Sequence, residues 1–149
     1  CKKTAGLMGV SSGAGAMASG ADATRVGLAR QIGINLGMAF QIRDDMLDYA
    51  PAEQTGKSSC ADLREGKITL PLISILERCS EEERQAILAK VDRAVNEPAL
   101  IEELADFVHR QGGIEAAAAV MNAYLDRARS IIRTYDEAEY RRSLEMPCD

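Results

Sequence analysis

The chain has 149 residues, a length that suits about one domain with a real hydrophobic core. Its formal net charge of −5 and its pI near 5.0 argue against a general nucleic-acid binder. No apolar run approaches the roughly 20 residues of a membrane span, and no secretory signal pattern is present.

Aromatic residues make up 4% and Trp is absent, so Leu, Ile, Val, Ala and Met must fill the core. Cys1, Cys60, Cys79 and Cys148 form no CxxC pair, and the single His argues against a zinc site. Reduced thiols in a cytoplasmic protein are the expectation. The chain starts at Cys1 within a helical pattern, which suggests a piece of a longer protein.

Residues 1–20 are rich in Ala, Gly and Ser and read as a closely packed helix, with a flexible linker as the other reading. Lys3 and Thr4 stand at its start, where free amide groups can meet an anion. Asp22 is a candidate N-cap. From Ala23 to about Ala50 the pattern is one long helix that Pro51 helps to stop. Residues 51–62 read as a polar loop that carries Lys57. A second short polar piece, Asp62 to Gly66, leads to Lys67.

An apolar helix runs from Ile68 to about Cys79, with Pro71 in its first turn. Ser80-Glu81-Glu82-Glu83 is a capping box that opens a helix to about Val95. Asn96-Glu97-Pro98 starts another, which Gly112-Gly113 ends. Ile114 to about Tyr135 is a long amphipathic helix, followed by a charged tail that frays. No run alternates long enough for a strand and no repeat is found, so the fold class is an all-α helical bundle.

The chemistry concentrates in the long second helix. At 100° per residue, with Asp44 at zero, Asp48 falls at about 40°, Gln41 at about 60° and Asp45 at about 100°. Ile32, Ala39, Ile42 and Met46 take the opposite side. Three aspartates in one turn repel each other and are poor mid-helix residues, so they ask for compensation. Hard oxygen ligands suit Mg²⁺, which binds one or two carboxylates together with waters and substrate phosphates. Lys3, Lys57 and Lys67 would complete a clamp for a diphosphate. A solvated charged face is the plain competitor. Gly33 and Gly37 share the acidic stripe, and they leave open either close helix packing or a groove for an elongated apolar ligand. No EF-hand loop is present, and Gly56-Lys57-Ser58 lacks the context of a P-loop. His109 reads as a surface or hydrogen-bonded histidine, and Cys60 as incidental.

Phe40-Gln41-Ile42-Arg43-Asp44-Asp45-Met46-Leu47-Asp48, then Gly56-Lys57, then Asp62-Leu63-Arg64-Glu65-Gly66-Lys67-Ile68-Thr69-Leu70-Pro71-Leu72-Ile73 form an ordered set. It resembles the second aspartate-rich region of trans-polyprenyl diphosphate synthases. Lys3-Thr4-Ala5 resembles that family's upstream lysine–threonine motif. The resemblance covers about half of the chain.

It implies an isoprenoid-synthase bundle that condenses an allylic diphosphate with isopentenyl diphosphate. Carried over, Asp44, Asp45 and Asp48 would hold Mg²⁺ directly or through water. Lys3 and Lys57 would contact the allylic diphosphate, with Lys67 nearby. Thr4 and Gln41 would line the reacting end, where they stabilise charge or take part in proton loss. A bundle half should bury its exposed apolar faces through partners, so a homo-oligomer or aggregate is expected, with a dimer in the longer protein and peripheral membrane contact through the prenyl product.

Neither the first aspartate-rich motif nor the upstream basic residues of such an enzyme occur in the chain. Residues 1–149 are therefore expected to be the C-terminal part of one synthase domain, inactive alone. The phrase from Arg43 through Leu72 is similar to that of medium- or long-chain bacterial synthases. Cyclising terpene synthases are disfavoured by the Lys57 and Lys67 motifs, and membrane prenyltransferases by the missing spans. A non-catalytic subunit or helical interaction module derived from a synthase is the reading from another class.

Overall fold

The computed structural model describes residues 2–50 and 60–135. Among them are seven helices and no strand. These are α1 (Lys2–Ala18), α2 (Ala23–Leu47), α3 (Ala61–Arg64), α4 (Leu70–Leu76), α5 (Glu81–Ala94), α6 (Pro98–Arg110) and α7 (Gly113–Ile132). No helix among the described residues is long and apolar enough to cross a membrane. Two compact units are distinguished, with divisions after Gln41 and after Ala119.

In the first unit, α1 and the part of α2 up to Gln41 form a helical hairpin. Gly20, at φ +81°, ends α1. Gly20 N–H bonds to Met17 O and Ala21 N–H to Ala16 O, each at 3.1 Å, the paired pattern of a Schellman motif. Asp22 then caps α2, its Oδ1 accepting from Arg25 N–H at 2.9 Å.

The helices meet along their small residues. A Cβ added at Gly37 would lie 2.6 Å from Ala5 Cα, and one at Gly9 would lie 2.5 Å from Ile34 Cγ1. A Cβ at Gly33 would strike Met8 O and the Ser12 hydroxyl. The two readings of Gly33 and Gly37 are thereby separated: their space is filled by α1 and is not a ligand groove. The part of α7 in this unit buries Ala128 and Ile132 against Ile32 of α2.

The second unit, Ile42–Ala119, has its own core. Leu63, Leu72, Val91, Ile101, Leu104 and Val108 are all but inaccessible. The capping box at α5 has both halves: Ser80 N–H donates to Glu83 Oε2 at 2.9 Å, and Glu83 N–H to Ser80 Oγ at 3.3 Å. Arg84 reaches back to cap α4, donating to Leu76 O from Nε and Nη2. Gly112, at φ +70°, turns α6 into α7. There Gly113 packs so tightly that a Cβ would lie 2.6 Å from Pro71 O.

Two boundaries differ from the sequence expectation. The short polar piece at 62–66 is partly helical, because the wholly buried Leu63 anchors Ala61–Arg64 as the turn α3. The long second helix stops at Leu47 rather than near Ala50. Its last bonds close as tight turns, Tyr49 N–H to Met46 O and Ala50 N–H to Leu47 O. The expected loop at 51–59 and the charged tail from Asp136 lie outside the described residues.

Candidate functional site

The acidic motif sits at the C-terminal end of α2, and its three carboxylates have three different environments. Asp44 is exposed and Asp45 is half-buried. Asp48 lies just beyond the helix, although its N–H still donates to Asp44 O at 3.1 Å. Its carboxylate turns to the start of α3: Oδ1 accepts from Ala61 N–H at 2.9 Å and Oδ2 from Asp62 N–H at 3.0 Å. Its own carbonyl accepts from Cys60 N–H at 2.7 Å.

The reason lies at Cys60. It occupies the N-cap position of α3 with φ 58° and ψ 41°, and its side chain makes no capping bond. The first amides of α3 therefore need another acceptor, and Asp48 supplies it through two charge-assisted bonds. This corrects the picture of one helical stripe bearing three equivalent acids. Among the described residues, no three His, Cys, Asp or Glu side chains gather as they would round a metal ion. Cys60 is not incidental either. It is 2% exposed, and its left-handed backbone is the hinge that brings α3 onto Asp48.

Lys67 belongs to the same neighbourhood. Its ammonium pairs with Glu65 at 2.5 Å and Asp62 at 3.5 Å. The hydrogen bond to Glu65 is the main reason that its pKa is raised. Asp62 thus gives its N–H to Asp48 and its carboxylate to Lys67, which ties one candidate metal residue to one candidate diphosphate residue. Lys57 lies outside the described residues.

In the first unit, Lys3 is exposed in the first turn of α1. Thr4 Oγ1 donates to Gln41 Oε1 at 3.3 Å, so the two candidates for the reacting end are neighbours.

Two residues beside Asp48 had no clear signal in the sequence as site residues. Tyr49 is 3% exposed in the core of the second unit. Burial pushes its phenol well above the ordinary tyrosine range, while the nearby Thr69 hydroxyl acts the other way. The Tyr49 and Thr69 hydroxyls are both buried, yet neither makes a hydrogen bond of normal geometry. His109, 60 residues away, bonds through Nε2 to Tyr49 O at 3.1 Å. A carbonyl only accepts, so Nε2 carries the proton and donates. No one-sequence pattern pairs residues so far apart.

The polyprenyl synthetase family model matches residues 1–108, which is most of the chain. The chain belongs to the polyprenyl synthetase family. It is 32% identical over 149 residues to a short chain isoprenyl diphosphate synthase of Methanothermobacter thermautotrophicus, covering 99% of this chain and 45% of that protein. It is 33% identical to the chloroplastic solanesyl-diphosphate synthase 2 of Oryza sativa subsp. japonica, covering 96% of this chain and 34% of that protein. Among solved structures, it is similar to a polyprenyl synthase from Caulobacter crescentus CB15 complexed with calcium and isoprenyl diphosphate. That match has a TM-score of 0.83 and 32% identity, and covers 98% of this chain and 45% of that one. The chain thus spans less than half the length of these relatives.

The donor set of this polyprenyl synthetase chain fits a magnesium ion of limited demand. Mg²⁺ takes one or two carboxylates and completes its octahedron with waters and phosphate oxygens. Asp44, exposed near the end of α2, offers hard oxygen, and Asp45 beside it is half-buried. Asp48 has one lone pair on each oxygen committed to an amide, which leaves it capable of orienting a water.

Proposed function

We propose that the protein carrying this chain is a prenyltransferase that elongates an allylic diphosphate with isopentenyl diphosphate, and that residues 1–149 form the C-terminal part of its single synthase domain. The observation that carries the reading is the join at Asp62: one residue holds the Asp48 carboxylate through its N–H and the Lys67 ammonium through its side chain. The acid proposed for metal-bound water and the cation proposed for diphosphate thereby share Asp62 as a partner. Family membership supports that substrate class.

In this reading, Asp44 and Asp45 hold Mg²⁺ and Asp48 acts through its bound water. Lys3, Lys57 and Lys67 neutralise the allylic diphosphate. When bound, Mg²⁺ supplies further positive charge against the oxygens of the leaving group. The allylic C–O bond breaks and its electron pair leaves on the diphosphate, where the lysines stabilise it. The isopentenyl double bond then attacks the allylic carbon, and the proton lost from the resulting cation passes to the departed diphosphate. Thr4 and Gln41, which are joined to each other, are assigned the reacting-end role in the same reading. To free Lys67 for a phosphate, substrate must displace its pair with Glu65.

Leu7, Val10 and Met17 of α1 are well exposed, and Leu7 and Val10 turn away from Ala5 and Gly9, which meet α2. Such faces suit burial by the rest of a longer chain and by a second copy. We accordingly propose a dimer in the full protein, and an inactive isolated chain. A medium- or long-chain product is proposed from the Arg43–Leu72 phrase. The relatives carry both short-chain and solanesyl names, so product separation decides this point. A cytoplasmic location with membrane contact only through the product is tested by fractionation.

The deciding experiment assays the full reading frame with both diphosphates and Mg²⁺, beside its D44A/D45A variant. Elongation in the parent and its loss in the variant support the reading. A subunit or interaction module derived from a synthase would give no product in either, and would lack an upstream aspartate-rich cluster.

A further inference from the structure

We infer that His109 is a positioning residue for the acidic end of α2, holding Asp48 in place through the backbone of Tyr49. The inference rests on the reading of Asp48 as part of the metal- and diphosphate-binding end. Tyr49 O lies past the last turn of α2, where carbonyls have no intrahelical partner. The His109 Nε2–H, from the last turn of α6, supplies one at 3.1 Å. The preceding carbonyl, Asp48 O, is held by Cys60 N–H at 2.7 Å.

Two consecutive carbonyls are thus tied to two different parts of the chain. The peptide planes that bear these carbonyls flank Tyr49, so the two bonds fix the Tyr49 torsions and steady the plane that follows Asp48. The plane before Asp48 is held by its N–H to Asp44 O at 3.1 Å, and these two planes set the direction of its Cβ. That direction is what aims the carboxylate at the Ala61 and Asp62 amides. The Tyr49 ring is buried in the core and anchors its own Cα, so the orientation of the following peptide rests on the His109 bond. His109 itself is a surface residue, and replacing it removes a hydrogen bond rather than a core contact. The proposed chemistry gives His109 no other part.

The test compares H109L, which removes the donor, with H109Q, whose side-chain amide reaches a similar distance and restores an N–H. Hydrogen exchange is followed residue by residue in the full chain. In H109L, the Cys60, Ala61 and Asp62 amides exchange about three- to tenfold faster, the change expected for losing one net hydrogen bond. H109Q returns them to within about twofold of the parent. Core amides such as Val91 in α5 stay unchanged. Unaltered exchange at residues 60–62 in H109L overturns the inference. Equal acceleration throughout the second unit overturns it too, since that is loss of general stability.

A second arm titrates Mg²⁺ in the full reading frame. H109L raises the half-saturating Mg²⁺ concentration by a similar factor, and H109Q restores it. If the D44A/D45A protein turns over normally, the functional reading fails, and the exchange arm still decides on His109. If D44A/D45A is inactive while H109L leaves both exchange and Mg²⁺ dependence unchanged, the reading stands and the His109 inference fails.

Discussion

Replacing Gly37 with Ala is expected to destabilise the α1–α2 hairpin, against the ordinary preference of a helix for Ala. The new Cβ would lie 2.6 Å from Ala5 Cα and 3.2 Å from Met8 Sδ. Carbon atoms prefer about 3.5–4.0 Å, so α1 must retreat by roughly 1 Å. The obstacle is backbone, which no rotamer change can clear. Overpacking of this kind costs about 1–3 kcal/mol, and the fixed obstacle puts Gly37 near the upper figure. Ala over Gly in a helix interior returns about 1 kcal/mol. The net is about 2 kcal/mol of destabilisation. Gly27 is the control: it lies in the same helix and a Cβ there meets nothing within 4 Å. G27A is expected to stabilise by about 1 kcal/mol. The two variants therefore differ by about 3 kcal/mol, or roughly 6–12 °C in Tm for a chain of this size. Paired thermal and urea melts measure the difference. If G37A melts at or above the parent, as G27A does, the close approach of α1 and α2 is wrong and the groove reading of Gly33 and Gly37 returns.

Other variants test separate features. D48A leaves two amides of α3 without their acceptor and costs about 1–3 kcal/mol, while D48N keeps one acceptor and costs less; chemical denaturation ranks the pair. Y49F removes a buried hydroxyl that makes no normal hydrogen bond, so its Tm should match or exceed the parent, and a large drop would mean that the hydroxyl is well paired. The Glu83 carboxyl is held below the usual glutamate range, first by the Ser80 N–H and then by the Ser80 hydroxyl. Its contribution is therefore full above the ordinary glutamate pKa and is lost as pH falls through the lowered value. The stability gap between the parent and E83Q should close in acid, and an NMR titration of S80A should show Glu83 moving back up.

Local chemistry made much of the helical framework legible. Asp22, the Ser80–Glu83 box, Pro98 and Gly112 each act within a few residues, and each marks a helix end in the structure. The acidic run was legible as residue types but not as geometry. Helical periodicity assigns Asp48 to the stripe only while the helix continues, and it stops one residue earlier. The cause is non-local: the left-handed Cys60 opens α3 toward Asp48 across more than ten residues. Hydrophobic pattern also misjudged Asp62–Gly66, where one fully buried leucine outweighs the charged Asp62, Arg64 and Glu65. The glycines of α2 were visible as a stripe, but only the opposing backbone of α1 decides what fills the space beside them. His109 and Tyr49 were illegible for the same reason, since their contact joins positions 60 residues apart.

The central claim is that Asp44 and Asp45 serve allylic diphosphate chemistry in the protein that carries this chain. The most direct measurement is incorporation of labelled isopentenyl diphosphate into prenyl product by the full reading frame, with Mg²⁺ varied, for the parent and D44A/D45A. The account predicts Mg²⁺-dependent elongation by the parent and a loss of several orders of magnitude in the variant. Undiminished elongation by D44A/D45A, or none by the parent, would contradict it.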